Sequence, residues 1–178
     1  MVFILGVATF VVPPVLIRKW KWVVPKPIAI SYYIFLIASV IFGELFHFYY
    51  LIPNWDAYLH VFSGGLLAVA GFSVLYLLGD VQKPLTSALF ALFFALAAGT
   101  VWEIYEFAVD GLLGMNMQKY ALKDGTALLG RLALMDTMVD LLVDALGALV
   151  VAVVGYFSLK YEKGWVEKWL IRREEVGR

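Results

Sequence analysis

The stretch LALMDTMVDLLVDALGALVVAVVGYFSL (132–159) decides the fold class. It exceeds the roughly 20 residues that an α-helix needs to cross the hydrocarbon of a bilayer. It contains no Lys or Arg, yet it holds Asp136, Asp140 and Asp144. Residues three or four apart share a helix face, so the three acids make one polar stripe on a helix whose other faces suit lipid. Ionisable groups inside a span are costly and by default mark function.

Working outward, three more runs of similar kind stand at about 27–50, 57–78 and 85–108. A shorter one, about 2–17, carries Pro13-Pro14. A secretory leader starts with basic residues and ends at a small-residue cleavage site; here Arg18, Lys19 and Lys21 follow the apolar run, so it reads as a retained first span. The expected architecture is an all-α integral membrane protein of five transmembrane helices in a single domain, with spans 2–5 bundled around a polar site. The composition agrees: 63% of the 178 residues are hydrophobic and 16% charged, against about 25% charged in soluble domains. That excludes an ordinary soluble domain and a disordered chain, and the balanced charge excludes a general nucleic-acid binder. With no cysteine there is no disulfide or thiolate chemistry.

The loops set an orientation. Eleven basic residues fall on one side: Arg18, Lys19, Lys21 and Lys26 after span 1, Lys83 after span 3, and six from Lys160 to Arg178. The other side holds Lys119, Lys123 and Arg131 in the connection 111–131. The positive-inside rule makes the eleven cytoplasmic, placing the N-terminus outside, the C-terminus inside, and the protein in the inner (cytoplasmic) membrane as a multi-pass protein. Trp20, Trp22, Trp165 and Trp169 suit the inner interface, and Tyr49, Tyr50 and Trp55 the outer one. The tail 160–178 reads as a cytoplasmic amphipathic segment, an interfacial helix or a solvated tail. The glycine-broken connection 111–131 is too irregular to span and reads as a re-entrant segment or a lid.

Each of the four long spans presents one polar stripe: Glu44/His47, Asp56/His60, Glu103/Glu106 and Asp136/Asp140/Asp144. With the orientation above, all four fall in the outer half of the membrane. Seven carboxylates and two imidazoles cannot stay charged and unpaired in low dielectric, so protons or cations must neutralise them. Oxygen-rich sites with one or two His suit Mg, Mn, Fe or Zn. The expected metal ligands are His60, Glu103, Glu106, Asp136, Asp140 and Glu44, with His47 or Asp56 as base and Asp144 facing substrate. Plainer readings stand beside these. His47 and His60 could hydrogen-bond carboxylates across helices; Asp56 could cap its helix; Glu44 and Asp110 could be solvated; Asp144 could be a protonated helix contact. Gly64, Gly65, Gly99 and Gly147 suit close helix packing, and Asp80 and Asp124 are plain loop residues.

At these residues the chain resembles the YjdF-type inner-membrane family and, more distantly, VanZ-like proteins. The shared elements are Asp56-x-x-x-His60 followed by Gly64, the acidic pair Glu103/Glu106, and Asp140 seven residues before Gly147-Ala148. The likeness covers about 55–148 and implies a small helical membrane protein with an outward-facing polar site in the cell envelope. Both families tend to place Arg or Lys directly after the first Asp, where this chain has Ala57. Three functions fit: a metal-dependent enzyme on a lipid or lipid-linked phosphate at the outer leaflet, a proton- or cation-coupled carrier or channel, or a structural subunit. The carrier needs a polar path inward beyond Asp144, which a homo-oligomer would have to complete. Membrane lipids are the expected surroundings and the expected source of substrate.

Overall fold

The computed structural model describes residues 2–79, 83–122 and 124–174, with side chains from residue 10 onward. Asp80 and Lys123 lie outside the described residues. Helix α1 (Val2–Lys19) runs through Pro13-Pro14. Helix α2 (Lys26–Leu36) continues as a π-helical segment, Ile37–Leu45. A short α3 (Phe48–Leu51) precedes the three long helices α4 (Trp55–Leu78), α5 (Pro84–Leu113) and α6 (Met135–Lys160), the last entered through a 3-10 turn at Gly130–Leu134. Four helical segments are long and apolar enough to cross a membrane: Lys26–Leu45, Trp55–Leu78, Pro84–Leu113 and Gly130–Lys160.

Helices α4, α5 and α6 form the core. Hydrocarbon offers no hydrophobic reward for helix association, so close packing through small residues has to supply it. Ala68, Ala95 and Ala148 make one buried cluster. Phe72, Ala88, Ala91 and Ala152 make another with Val166 and Leu170 of the tail. Gly64 rests on the backbone carbonyl of Asp144, Gly147 on that of Val61, and Gly71 on the backbone of Ala91. The opposite faces, including Phe93, Val101 and Phe107 of α5 and Leu142, Leu146 and Val150 of α6, are exposed and apolar.

The segment Lys26–Leu45 packs at the edge of this trio, burying Leu36 and Gly43 alone among its residues. The expected run to residue 50 is shortened because the chain folds back on itself. Phe46 donates five residues back to the Ile41 carbonyl, and His47 takes a left-handed φ of 60°. Tyr49 then lies against Gly43, with its hydroxyl 2.9 Å from Ser39 Oγ. Among its described residues, the tail past α6 makes a 3-10 turn (Val166–Lys168) and packs back onto the bundle. Ser158 Oγ accepts the amides of Trp165 and Val166, Ser73 Oγ accepts that of Ile171, and Leu170 is 1% exposed. Strand β2 (Arg172–Arg173) then pairs with β1 (Trp22–Val23), just after α1. The two basic segments thus meet at one end of the molecule.

Gly147→Ala is expected to lower the melting temperature in detergent, since its methyl would strike the Val61 backbone; overpacking of this kind costs about 1–3 kcal/mol. Gly65→Ala meets side chain and backbone at 3.4 and 3.7 Å, ordinary contact distances, and should be near neutral. Equal melting temperatures for the two variants would show that the α4–α6 contact is looser than described.

Candidate functional site

Three of the four expected stripes converge. Asp56 lies in the first turn of α4 and His60 one turn on, while Asp136, Asp140 and Asp144 descend α6 from its first turn. Glu103 and Glu106 come from the last third of α5. His60 is the hub. Its Nδ1 stands 3.2 Å from Asp144 Oδ2, and its Nε2 faces Asp56 Oδ1 at 3.8 Å and Asp140 Oδ2 at 4.0 Å. Asp144 also accepts from Ser63 Oγ at 3.2 Å. A methyl at Gly99 would lie 2.6 Å from the Asp144 carboxylate, so the glycine leaves the room that this acid occupies. Ligand atoms of Asp56, His60 and Asp140 all lie within 4.8 Å of one another.

The remaining acids divide by partner. Glu106 accepts from Trp102 Nε1 at 3.0 Å. Glu103 is buried with Gln118 and Thr137 beside its carboxylate, while among the described residues Asp140 Oδ2 and Asp136 Oδ2 have no hydrogen-bond partner. Buried polar atoms in folded proteins are almost always satisfied, so these oxygens point to a proton or a cation. Asp110 is buried rather than solvated: its two oxygens accept the amides of Met117 at 2.7 Å and Gln118 at 3.0 Å, fixing the loop that leaves α5. Asp56 does not cap α4, because Asn54 holds that position. Glu44 and His47 are exposed, and no hydrogen bond or ion pair joins either to the cluster among the described residues. The break after Leu45 is the reason for His47, while Glu44 lies before it, within Ile37–Leu45, and is exposed there.

One residue of the site comes from the loop between α5 and α6. The chain leaves α5 at Gly114, whose φ of 63° gives the left-handed cap that glycine adopts freely. It makes a hairpin joined at Ala121 and Ala127 and turns its start back over the acids, as a lid would. Lys119 Nζ reaches Asp56 Oδ2 at 2.5 Å and Asp136 Oδ1 at 2.7 Å, so one ammonium ties α4 to α6. Burial works against its charge, but the Asp56 and Asp136 carboxylates outweigh that and hold its pKa above the ordinary lysine value of 10.5. The signal in the sequence was a lone run of cations on the acidic side of the membrane, which charge counting uses for topology and nothing else.

The family of predicted membrane proteins designated DUF2238 matches residues 1–161, in agreement with the YjdF-type resemblance. The chain is also similar to a Thermotoga maritima protein described as an uncharacterized protein, at 29% identity over 118 residues. The match covers 65% of this chain and 55% of that relative, so the chain spans little more than half the relative's length. No solved structure matches.

Lys119→Met should destabilise the protein by about 1–3 kcal/mol, the usual cost of leaving a buried polar partner unsatisfied. Replacing Asp56 by Asn in the same chain should return part of that loss, because the unpaired charge goes with it; additive losses in the double variant would mean that the contact contributes nothing. A raised lysine pKa stabilises the fold below the unfolded value of 10.5 and stops doing so as pH climbs through the folded value. The difference between wild type and Lys119→Met should therefore be constant through neutral pH and shrink only in strong alkali.

Proposed function

The chain belongs to the DUF2238 family of predicted membrane proteins, and from that premise we propose that its buried acids hold a divalent metal ion through Asp56, His60 and Asp140. The observation that carries this reading is the division of labour on His60. A metal-bound histidine typically gives its second ring N–H to a carboxylate, which fixes the tautomer and strengthens the ligand. Asp144 occupies that position at Nδ1, leaving the Nε2 lone pair between Asp56 Oδ1 and the unpartnered Asp140 Oδ2. Asp56 serves two cations with different atoms, Oδ1 toward the metal and Oδ2 toward Lys119. One nitrogen among carboxylate oxygens suits Mg, Mn, Fe or Zn.

The chemistry in this reading is metal-assisted reaction at a lipid or lipid-linked phosphate. A divalent ion polarises a phosphoryl oxygen and lowers the pKa of bound water, and the partly exposed Lys119 beside it offers a second positive charge to the same phosphate. Asp56 becomes a ligand rather than the base. Glu103, buried beside Gln118 and Thr137, takes the role of proton acceptor in place of the exposed His47. Asp144 orients His60 rather than touching substrate. The orientation in this reading has five spans with α1 included, the N-terminus outside and the acids in the outer half of the inner membrane. It is supported by the pairing of β1 with β2, which gathers the basic segments at the end of the bundle away from the acids.

Purified protein made without chelator should carry close to one equivalent of divalent metal and gain thermal stability on its addition. His60→Ala and Asp140→Asn should abolish binding, and Asp144→Asn should weaken it about 10–100-fold. Glu44→Gln and His47→Ala should bind as wild type does. Protein that holds no metal and gains no stability from Mg, Mn, Fe or Zn would sink the reading. The acids would then be neutralised by Lys119, His60 and protons alone, the arrangement a proton-coupled carrier needs, and proton flux in liposomes would be the quantity to measure.

A further inference from the structure

A groove of about 490 Å³ opens between α2 on one side and α4 and α6 on the other, lined by Ile28, Ser31, Phe62, Leu66, Val150 and Trp169 among others. Apart from Ser31 and the indole of Trp169, these named walls are hydrocarbon. The groove exists because Lys26–Leu45 contributes so few buried residues to the bundle. It lies within the candidate membrane-spanning segments. One end of it is marked by Pro27 and Trp169, and here the β1–β2 ribbon brings the basic segments together. Lys21, Lys26, Lys168, Arg172 and Arg173 are all exposed at this end. Among the described residues, none of them pairs with a carboxylate, the ion pairs being those of His60 and Lys119, although Arg172 donates to the Glu167 carbonyl and lies over the Tyr76 ring and the exposed Glu174 follows Arg173. The Trp20 and Trp22 rings lie 4.8 Å apart at a tilt of 48° beside them, and Trp20, Trp165 and Trp169 are exposed, as indoles at a headgroup layer are.

We propose that this groove and its basic rim are a binding site for one anionic membrane lipid, its acyl chain between α2 and α4/α6 and its phosphate among Lys26, Arg172 and Arg173. A neutral lipid would fill the groove but leave the rim's charges unanswered, which is why the occupant is an anionic one. The basic rim lies at the opposite end of the bundle from His60, and the groove, although it runs up to Val61 and Phe62, uses none of the residues of the metal reading. It rests on the packing of α2, α4, α6 and the β1–β2 ribbon, so a protein that binds no metal leaves it standing.

The test is native mass spectrometry and thermal unfolding of the full chain in mild detergent, with phosphatidylglycerol and phosphatidylcholine added in turn. The wild type should retain phosphatidylglycerol through purification and melt at a higher temperature with it than with phosphatidylcholine. Replacing Lys26, Arg172 and Arg173 together by Gln should erase the preference, a loss of roughly 100-fold in relative affinity if each charge near the surface contributes as usual. Ser31→Phe, which fills the groove, should reduce stabilisation by either lipid while leaving the lipid-free melting temperature and monodisperse elution unchanged. Equal stabilisation by the two lipids in the wild type, or absence of retained lipid, would overturn the proposal. So would efficient disulfide trapping between two copies of Ser31→Cys, which would assign the groove to a second chain.

Discussion

His60 has two ring nitrogens, and the polar end of the bundle is organised by how they are divided. Nδ1 is taken by Asp144, an acid 2% exposed and lodged against Gly99. Nε2 is thereby turned toward Asp56 and Asp140. The hydrogen bond at Nδ1 is possible because α4 and α6 approach to backbone contact at Gly64 and Gly147. With larger residues at those positions the two helices would stand further apart, and His60 and Asp144 would each be a buried polar group without a partner. Such groups are costly in any interior, so the glycines and the acids are parts of one device. Packing puts the carboxylates within reach of the imidazole, and the imidazole makes their burial tolerable.

Charge balance sets the next constraint. Asp56, Glu103, Glu106, Asp136, Asp140 and Asp144 surround one histidine, and the spans supply no basic residue to this cluster. Lys119 answers part of the deficit from outside. Its backbone takes a left-handed φ of 48°, unusual for a residue with a side chain, and Asp110 fixes the loop just before it through the amides of Met117 and Gln118. The ammonium binds one oxygen each of Asp56 and Asp136 and, among the described residues, leaves Asp140 Oδ2 without a hydrogen-bond partner. What remains is a group of buried carboxyls under a loop that protons or a cation must neutralise, and the metal reading supplies the cation.

Most of the fold was legible in the sequence. Hydropathy located the four long spans, the spacing of acids placed one stripe on each, and alternation of direction put the stripes near one end. Three features were not legible. The convergence of Glu44/His47 with the other stripes failed because a periodicity argument assumes an unbroken α-helix. Gly43 and Ser39 admit Tyr49 against the helix, and the chain turns back before His47. Lys119 was counted as a topological charge because a loop has no periodicity from which to infer where a side chain points. The packing of the tail was missed for the same reason: Trp165 and Trp169 stay exposed, but Leu170 is buried, because Ser73 and Ser158 offer side-chain acceptors that draw the tail backbone onto the bundle.

The difference between the stripe that stays outside and the three that meet follows from the small residues. Helices α4, α5 and α6 carry Gly64, Gly71, Gly99, Gly147 and Gly155 at their mutual contacts, with Ala68, Ala91, Ala95, Ala148 and Ala152 buried between them. The segment Lys26–Leu45 has instead Ile30, Tyr33, Ile34, Ile37 and Phe42 turned outward, residues that gain little by leaving lipid. In a bilayer, where apolar surface is equally content against hydrocarbon or protein, close backbone approach decides which helices associate. A polar stripe can then be shared only among helices that are also rich in glycine and alanine. Acid spacing shows which face of a span is polar, and the small residues beside it show whether that face has a neighbour. Read together, the two patterns select Asp56, His60, Glu103, Glu106, Asp136, Asp140 and Asp144 and leave Glu44 and His47 at the rim.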